Sequence, residues 1–321
     1  MAKVISTSPT FGYYASEPVE YLKSHDCSVE LVPQGKKLSE ADLVESAKDC
    51  DAMIVGMEKI TERVMKASAK LKIITKHGAG VDNIDVQAAS KRGIIVTSAP
   101  GANSDAVADL TMGLFLSLAR KIPLADRSVK ENGWPRIIGT QVNQKVLGII
   151  GLGQVGKKVA QRARGFAMRI LAYDVVKDET FAGENGIQYT SLEQVLAESD
   201  FLSIHIPLIP STQGLIGERE LKLMKRGAFL INISRGNIVD EQALYIALKD
   251  GKIGGAALDV FIQEPPKDSP LFKLDNVILS PHMGGYTYEA LRETGMICVR
   301  SIVDVLQGRR PQFVVNPELF K

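Results

Sequence analysis

Three polar side chains that could together handle a proton and a carboxylate each follow an apolar run in the C-terminal half of the chain. Arg235 follows AFLINIS, Glu264 comes after AALDVF and before two prolines, and His282 follows NVILSP. The planar fork of an arginine matches a carboxylate, and a glutamate beside an imidazole fixes its tautomer. A histidine held in that way could accept a hydroxyl proton while a C–H hydride leaves, and return the proton in reduction.

Each of these residues also has an ordinary structural explanation. Arg235 could end a strand in solvent, and Glu264 could lie in a turn before the prolines. His282 could be a hydrogen-bonded histidine in a turn of the segment PHMGGY. Ligands of open parallel sheets bind beyond the carboxyl ends of the strands, so three such residues at the ends of three strands favour a site.

The elements that would position these residues form two series of short apolar, β-branched runs that alternate with helical patterns. This alternation is typical of βαβ units around parallel sheets. The predicted strands are KVIST, SVELVP, DAMIVG, LKIIT and GIIVTS before residue 100, and KVLGIIG, RILAYD, FLSIHIP, AFLINIS, IGGAALDV and NVILSP after it. The sequence predicts an α/β protein with two Rossmann-like or flavodoxin-like domains, each built on its own parallel sheet.

Helical patterns separate and follow the two series. One begins at Asn103, a second at Pro123, and residues 287–306 form a final amphipathic pattern. In the helix from Asn103, apolar residues occupy more than one face. We therefore expect it to be buried on two sides, between domains or against another subunit.

A glycine-rich turn opens the second series. Gly151, Gly153 and Gly156 form the pattern G-x-G-x-x-G between a strand and a helix, and the next strand ends in Asp174. In this setting Gly151 permits the tight turn, Gly153 the close approach of a pyrophosphate, and Gly156 the packing of helix against strand. Asp174 would bind the ribose hydroxyls. An acid there repels a 2′-phosphate, so NAD is preferred over NADP.

The remaining histidines are weaker candidates. His77 precedes Gly78, Ala79 and Gly80, whose consecutive amides could form an anion-binding nest. His205 is expected to line the cofactor cleft without a catalytic partner.

The composition excludes several other classes of protein. With 45% apolar and 24% charged residues and a net charge of +2, nothing favours binding to nucleic acid or to an acidic membrane. No apolar run approaches the ~20 residues of a membrane span. The three cysteines lack the spacing of a metal site or a disulfide framework. We expect a cytoplasmic protein with reduced thiols and no metal.

The ordered motifs resemble those of the D-isomer-specific 2-hydroxyacid dehydrogenases, and within them the phosphoglycerate dehydrogenase branch. The matching segments include KHGAGVDNIDVQAASKRGIIVTSAPGANSDAVADL, GIIGLGQVGKKVAQRARGF, MKRGAFLINISRGNIVDEQAL, GAALDVFIQEPP and NVILSPHMGGYTYEA. One departure is that PHMGGY has Met283 and Gly285 where PHIGAY is the commoner wording.

The resemblance implies roles for individual residues. It makes Arg235, Glu264 and His282 the catalytic residues, and assigns the substrate to the glycine-rich loop and to basic groups near it. The implied substrate-binding residues are Lys76, Gly78, Ala79, Gly80 and Arg235. The implied cofactor-binding residues are Ala79, Gly151, Gly153, Gln154, Val155, Gly156, Asp174, Ile206, Pro207, Ile233, Ser234, Asp259 and Gly284.

The resemblance also implies an architecture. Residues 1–99 with 287–321 would form a substrate-binding domain, residues 100–286 an NAD-binding domain, and a cleft would lie between them. A homodimer would form through the cofactor domain, with the helix from Asn103 as the candidate contact. The chain stops at Lys321. We therefore expect a short form without a C-terminal regulatory domain, which is not inhibited by serine through that route.

The implied activity is hydride transfer between a nicotinamide and C2 of a small D-2-hydroxy acid or 2-oxo acid, with 3-phosphoglycerate and 3-phosphohydroxypyruvate as the leading pair and no direction implied. Hydroxypyruvate or glyoxylate reductase and a dehydrogenase of a phosphonate-bearing hydroxy acid are alternatives. Formate dehydrogenase is disfavoured, because that branch carries glutamine where Glu264 stands. An NADH-sensing scaffold of the corepressor kind is an alternative of another class, but no low-complexity segment supports it.

Overall fold

The computed structural model describes residues 1–320 apart from residues 34, 36 and 37. The chain divides into two compact units. Unit 1 consists of Met1–Asn103 with Gly285–Lys321, and unit 2 is Ser104–Gly284. The divisions lie a few residues from the domain boundaries that were expected at residues 99 and 287.

The N-terminal part of unit 1, where the structure describes it, is an alternation of five strands and four helices. In chain order these are β1 (Ala2–Ser6), α1 (Glu17–Lys23), β2 (Cys27–Leu31), α2 (Glu40–Ala47), β3 (Ala52–Val55), α3 (Glu62–Met65), β4 (Ile73–Lys76), α4 (Val86–Lys91) and β5 (Ile95–Thr97). The strands form one parallel sheet in the order β2-β1-β3-β4-β5. Side chains of Ser39, Thr61 and Asp85 cap the starts of α2, α3 and α4.

Unit 2 begins with two helices and continues as a second parallel sheet. Its elements are α5 (Ser104–Arg120), α6 (Ile122–Lys130), β6 (Val146–Ile150), α7 (Gln154–Ala163), β7 (Arg169–Tyr173), α8 (Glu179–Asn185), β8 (Ile187–Tyr189), α9 (Leu192–Glu198), β9 (Phe201–Ile204), α10 (Glu218–Leu223), β10 (Phe229–Asn232), α11 (Glu241–Lys249), β11 (Gly255–Leu258) and β12 (Val277–Leu279). The strand order is β12-β11-β10-β9-β6-β7-β8, with every neighbouring pair parallel.

The last helix returns the chain to unit 1. Helix α12 (Tyr288–Leu306) begins after Thr287, whose side chain accepts the amide of Ala290. On its buried face, Cys298, Val299, Ile302 and Val303 share one core with Val4, Ile54 and Ile73 of the sheet. The core of unit 1 is therefore built from both ends of the chain.

The predicted fold class, two α/β domains on separate parallel sheets, is confirmed. The predicted strands correspond to β1–β7 and β9–β12, and the prediction missed β8. That strand is a three-residue edge strand, Ile187–Tyr189, which is too short to show a periodic pattern.

Helix α5 is buried on more than one side, as its apolar pattern indicated. Val107, Leu114, Phe115 and Leu118 pack in the same core as β6, β10 and α7, which all belong to unit 2. The two-sided burial of α5 is thus accounted for inside this unit.

Within the part of the chain that the structure describes, no helix has both the length and the apolar character that crossing a membrane requires.

Candidate active site

The carboxyl edge of the unit 2 sheet brings the three predicted catalytic residues together. Strands β10, β11 and β12 are adjacent and parallel. The chain leaves β10 toward Arg235, β11 toward Glu264, and β12 toward His282. Because parallel strands end at the same edge of a sheet, all three side chains come from one rigid part of one unit.

His282 and Glu264 are in direct contact. The Nδ1 atom of His282 lies 2.8 Å from Oε2 of Glu264, so the contact that the sequence suggested is present. A carboxylate accepts only, so Nδ1 carries the hydrogen, which leaves Nε2 of the neutral ring as the acceptor for an incoming proton. About a third of each side chain is exposed, so this pair is reachable from solvent.

The surroundings keep Glu264 ionised. Burial by itself would raise the pKa of the Glu264 carboxyl, but the hydrogen bond and charge of His282, the Phe261 amide and the charge of Arg235 together lower it. The Phe261 amide donates to the second oxygen, Oε1, at 3.1 Å. Glu264 is therefore fixed at both oxygens.

Arg235 is half-buried at the end of β10. Its Nη1 donates to the carbonyl of Ser234 at 2.7 Å, and Asn232 donates to the backbone carbonyl of Arg235 at 2.9 Å. Asn232 also accepts from the amide and hydroxyl of Ser234. These bonds hold the turn that carries the guanidinium.

Asp259 anchors the loop that carries His282. The Asp259 side chain is 1% exposed and follows β11 directly. Its Oδ1 accepts from the Ser280 hydroxyl at 2.6 Å and from the Met283 amide at 2.9 Å, and its Oδ2 accepts from the Gly284 amide at 2.8 Å. A buried carboxylate needs such donors, and here all three come from the residues that flank His282.

The same loop holds His282 in an unusual backbone conformation. His282 has φ +54°, in the left-handed region that non-glycine residues seldom occupy. The bonds to Asp259 on both sides of it offset that cost. A Cβ on Gly284 would lie 3.2 Å from both Asp259 Oδ2 and the side chain of Ile233, so a glycine is needed for close packing at this position.

The glycine-rich turn has the shape of a dinucleotide site. Gly151 has φ +94° and packs against the carbonyl of His205 and the side chain of Ile206, and a Cβ on Gly156 would lie 2.2 Å from the Gly151 carbonyl. A Cβ on Gly153, by contrast, would meet no atom within 4 Å. Protein packing explains the first and third glycines, while the second faces open space.

Helix α7 starts at this open space, with Gly153 as its N-cap and Gln154 and Val155 in the first turn. The first amides of a helix have no partner inside it, so they point toward an anion placed there. Asp174, at the end of β7, accepts from the amides of Leu152 and Val176 at 2.7 and 3.0 Å. The open cradle, the free helix start and the adjacent acid fit a dinucleotide such as NAD.

His205 has a neutral ring. Its Nε2 lies 2.7 Å from the hydroxyl of Ser203, and burial lowers the pKa of His205 to about 3. It lies beside Gly151 together with Ile206, and the exposed Pro207 follows. The Pro207 carbonyl accepts from the hydroxyl of Thr212 at 2.7 Å.

The residues predicted to bind the substrate carboxylate belong to unit 1, in the loop after β4. The Gly78 amide donates to the carbonyl of Lys76, and the described residues supply no acceptor for the amides of Ala79 and Gly80. Lys76 is 5% exposed, and its ammonium donates to the carbonyl of Gly56 and to Oδ1 of Asn83. The two amides suit an anion, whereas the Lys76 ammonium binds groups within its own unit.

Comparisons with known proteins agree with this geometry. Residues 112–284 match the model of the D-isomer specific 2-hydroxyacid dehydrogenase, NAD binding domain. The chain is 45% identical to D-3-phosphoglycerate dehydrogenase of Methanocaldococcus jannaschii, over 87% of this chain and 54% of that protein. It is 43% identical to glyoxylate reductase of Korarchaeum cryptofilum, over 90% of this chain and 88% of that protein.

The chain belongs to the D-isomer specific 2-hydroxyacid dehydrogenase family. Its structure resembles D-lactate dehydrogenase from Aquifex aeolicus, crystallised with NAD and lactic acid, with a TM-score of 0.81 and 32% identity over 95% of this chain and 96% of that one. The resemblance drawn from the motifs is confirmed, and unit 2 carries the family's NAD-binding domain. The chain spans about half the length of the phosphoglycerate dehydrogenase with which it was compared.

The role of Asp259 as the anchor of the loop can be tested with Asp259→Asn. The amide group keeps one acceptor and places a donor against another donor, which should cost about 1–3 kcal/mol of unfolding free energy. Turnover should fall at least about tenfold, because the loop no longer holds His282 against Glu264. Chemical denaturation, steady-state kinetics and NADH titration would measure these effects. Wild-type turnover in a folded Asp259→Asn variant would contradict the anchoring role.

Proposed function

We propose that the protein is an NAD-dependent dehydrogenase that interconverts a small D-2-hydroxy acid and the corresponding 2-oxo acid. The observation that carries this proposal is the 2.8 Å contact between His282 Nδ1 and Glu264 Oε2, at the edge of the sheet that carries the dinucleotide cradle. Unit 2 thus contains a histidine that can carry a proton, a glutamate that fixes the tautomer of this histidine, and the glycine turn suited to the cofactor.

Each side chain has a distinct task in this proposal. His282 Nε2 accepts the proton of the substrate hydroxyl in oxidation and returns it in reduction. Glu264 stabilises the imidazolium that forms, because its charge lies beside Nδ1. Arg235 orients the substrate carboxylate with its planar fork.

NAD, when bound, accepts the hydride from the hydroxyl-bearing carbon or supplies it to the carbonyl carbon. The residues that would hold it are the glycine turn with the start of α7 for the pyrophosphate, and Asp174 for the ribose. Ile206 and Pro207 would lie on the adenine side. Ile233, Ser234, Asp259 and Gly284 border the catalytic residues and would lie on the nicotinamide side.

The relatives point to two kinds of substrate. The phosphoglycerate dehydrogenase relative points to a phosphorylated three-carbon acid, and the glyoxylate reductase relative points to a small 2-oxo acid without a phosphate. Both share the 2-oxo carboxylate that Arg235 would bind. They differ only in the substituent that the acid carries on its second carbon.

The catalytic assignment predicts a large loss of turnover in His282→Asn. Asparagine tolerates the left-handed backbone of this position but cannot carry the proton, so turnover should fall by roughly 10²- to 10⁴-fold with little change in NADH affinity. Steady-state rates with glyoxylate and hydroxypyruvate, together with NADH fluorescence titration, would measure both quantities. The matched control is His25→Ala, which should behave as wild type. Unchanged turnover in His282→Asn would refute the assignment.

The cofactor assignment predicts that Asp174→Ser weakens the preference for NADH. The carboxylate repels a 2′-phosphate and binds ribose hydroxyls, so its removal should lower the ratio of kcat/KM for NADH over NADPH by about 10- to 100-fold. Glu179→Gln removes an exposed carboxylate five residues further along and should leave the ratio unchanged. An unaltered ratio in Asp174→Ser would exclude Asp174 as the discriminating group.

We also propose a homodimer that forms through unit 2, at a surface beside the C-terminal end of helix α5. The exposed side chains there are Ile122, Val129, Trp134 and Ile138, which are between 50% and 89% exposed. Beside Ile138 lies a cavity of about 410 Å³, lined in part by Leu118, Leu124 and Val277. Exposed apolar side chains next to an apolar cavity are typical of a self-complementary contact between two copies.

The dimer can be tested with the double substitution Trp134→Glu and Ile138→Glu. Sedimentation equilibrium of the wild-type protein should give twice the 34.9 kDa mass of the chain, and the variant should give the mass of one chain. The matched control is Val175→Glu with Val176→Glu, an equally exposed apolar pair elsewhere in unit 2. A variant that remains a dimer would exclude this surface.

A further inference from the structure

The loop of residues 261–264 carries Glu264 on a mostly exposed piece of chain. Phe261 is 7% exposed and packs in a core of unit 2, whereas residues 262–264 are exposed. A segment with little buried side chain gains little from packing, so its hydrogen bonds decide how well it keeps one conformation. The position of Glu264 therefore depends on the groups that bind the backbone of this loop.

Two carboxylates bind two consecutive amides of the loop. The Phe261 amide donates to Oε1 of Glu264 itself at 3.1 Å, and the Ile262 amide donates to Oε1 of Glu241 at 2.7 Å. The first bond lies within the loop and moves with it. The second joins the loop to the first residue of helix α11, and among the described residues it is the one hydrogen bond that the backbone of residues 262–264 makes. Glu241 is therefore the group outside the loop that anchors it.

The side chain of Glu241 is not needed to cap its own helix. Asp240, the N-cap of α11, accepts from the amides of Gln242 and Ala243 at 2.9 and 3.0 Å. These are the amides that a capping side chain satisfies in the first turn of a helix. The Glu241 carboxylate binds instead an amide that lies 21 residues further along the chain. The cap is complete without Glu241, so its carboxylate serves the loop.

A direct contact between two backbones brings the loop within reach of α11. A Cβ on Gly236 would lie 2.0 Å from the carbonyl carbon of Phe261 and 2.4 Å from the amide nitrogen of Ile262. Gly236 directly follows Arg235, and only a residue without a side chain allows such a close approach. The peptide between Phe261 and Ile262 is thus packed against Gly236 and bound by Glu241.

The two members of the pair of His282 and Glu264 have separate anchors. Asp259 binds the amides that follow His282, and Glu241 binds the loop that carries Glu264. The contact of 2.8 Å between the pair needs both loops in place. The guanidinium of Arg235 is held by the bonds of its own turn. Loss of the Glu241 carboxylate should therefore disturb the pair and leave the guanidinium in place.

We propose that Glu241 is a positioning residue of the candidate site, which holds Glu264 against His282 by binding the Ile262 amide. The inference rests on the proposed function, and it adds a residue that takes no part in the transfer of the proton or the hydride. Glu264 stabilises the charge that develops on the imidazole, so a displaced Glu264 slows the chemical step. The binding of substrate and cofactor is provided by other residues and does not depend on Glu241.

The positioning role can be tested with Glu241→Ala and Glu241→Gln. Alanine removes the acceptor of the Ile262 amide, so kcat should fall about 5- to 30-fold, which is part of the effect of one hydrogen bond to a charged group. Glutamine keeps an oxygen that accepts the same amide, so kcat should stay within about twofold of wild type. KM for glyoxylate and the affinity for NADH should change by less than about twofold in both variants. Steady-state kinetics and NADH fluorescence titration would measure these quantities.

Glu218→Ala is the matched control. Glu218 is also the first residue of a helix of unit 2, α10, and its exposed carboxylate binds Lys222 of the same helix. Its removal costs the same kind of interaction with a helix N-terminus but releases no loop of the site. We expect wild-type kcat in this variant. An equal fall of kcat in Glu218→Ala would show that loss of an acid from a helix start is sufficient, and would overturn the role of Glu241.

A double-mutant cycle with Glu264→Ala separates positioning from general support of the fold. Once the side chain of Glu264 is absent, Glu241→Ala should lower kcat by less than about twofold further, because effects on one shared interaction do not add. A residue that only supports the fold would lower kcat by the same factor in both backgrounds. That result, or wild-type kcat in Glu241→Ala alone, would overturn the proposal.

Failure of this inference is distinguishable from failure of the proposed function. If His282→Asn and Glu264→Ala keep wild-type turnover, the proposed function is wrong and the inference falls with it. If both variants lose turnover while Glu241→Ala keeps it, the enzyme assignment stands and the positioning role of Glu241 is overturned.

Discussion

The hydrogen bonds between the buried carboxylate of Asp259 and residues 280–284 are the constraint on which the candidate site depends. The loop contains Pro281, a histidine with a left-handed backbone conformation, and two glycines. Without other contacts, such a loop is not expected to keep a single conformation. Asp259 gives it one shape, because its buried carboxylate accepts three hydrogen bonds, one from Ser280 before His282 and two from the amides of Met283 and Gly284 after it. The contact between His282 and Glu264 follows from this, since Glu264 is itself fixed by the backbone of Phe261. The position of His282 in the site therefore depends on Asp259, a buried residue that need not contact the substrate.

Polar side chains follow the carboxyl ends of the strands in both units, but the charges they carry differ. In unit 2 the ends of β10, β11 and β12 carry a cation, an anion and an imidazole, which suits proton transfer and the binding of a carboxylate. In unit 1 the end of β1 carries hydroxyls, the end of β3 a carboxylate, and the end of β4 a neutral imidazole. Two histidines at the ends of strands therefore have different environments. His282 has an ionised partner and stays partly exposed, whereas His77 has only neutral partners, and desolvation keeps it neutral.

Local pattern was enough to predict most of the fold and to group three of the proposed site residues. Buried parallel strands are runs of β-branched residues that are visible in the sequence, and residues at their ends share an edge by geometry, which is how Arg235, Glu264 and His282 could be grouped. The anchoring by Asp259 was missed, although a lone acid after the apolar run GAAL signals a buried carboxylate that must find donors. The cluster of Ser8, Thr10 and His77 could not be predicted in the same way. It joins loops that are 67 residues or more apart and cross the end of a third strand, so it exists only once the strand order is known.

The return of helix α12 to unit 1 has a consequence for the order in which the chain can fold as it is synthesised. Val4, Ile54 and Ile73 are covered by Cys298, Val299 and Ile302, which leave the ribosome only after the whole of unit 2 has been made. Unit 2 is continuous in sequence, so its sheet can be complete while one face of the first sheet is still bare. Synthesis at 5–20 residues per second, the usual range, leaves that face uncovered for roughly ten seconds or more. The first hundred residues are thus the last part of the chain to complete their core.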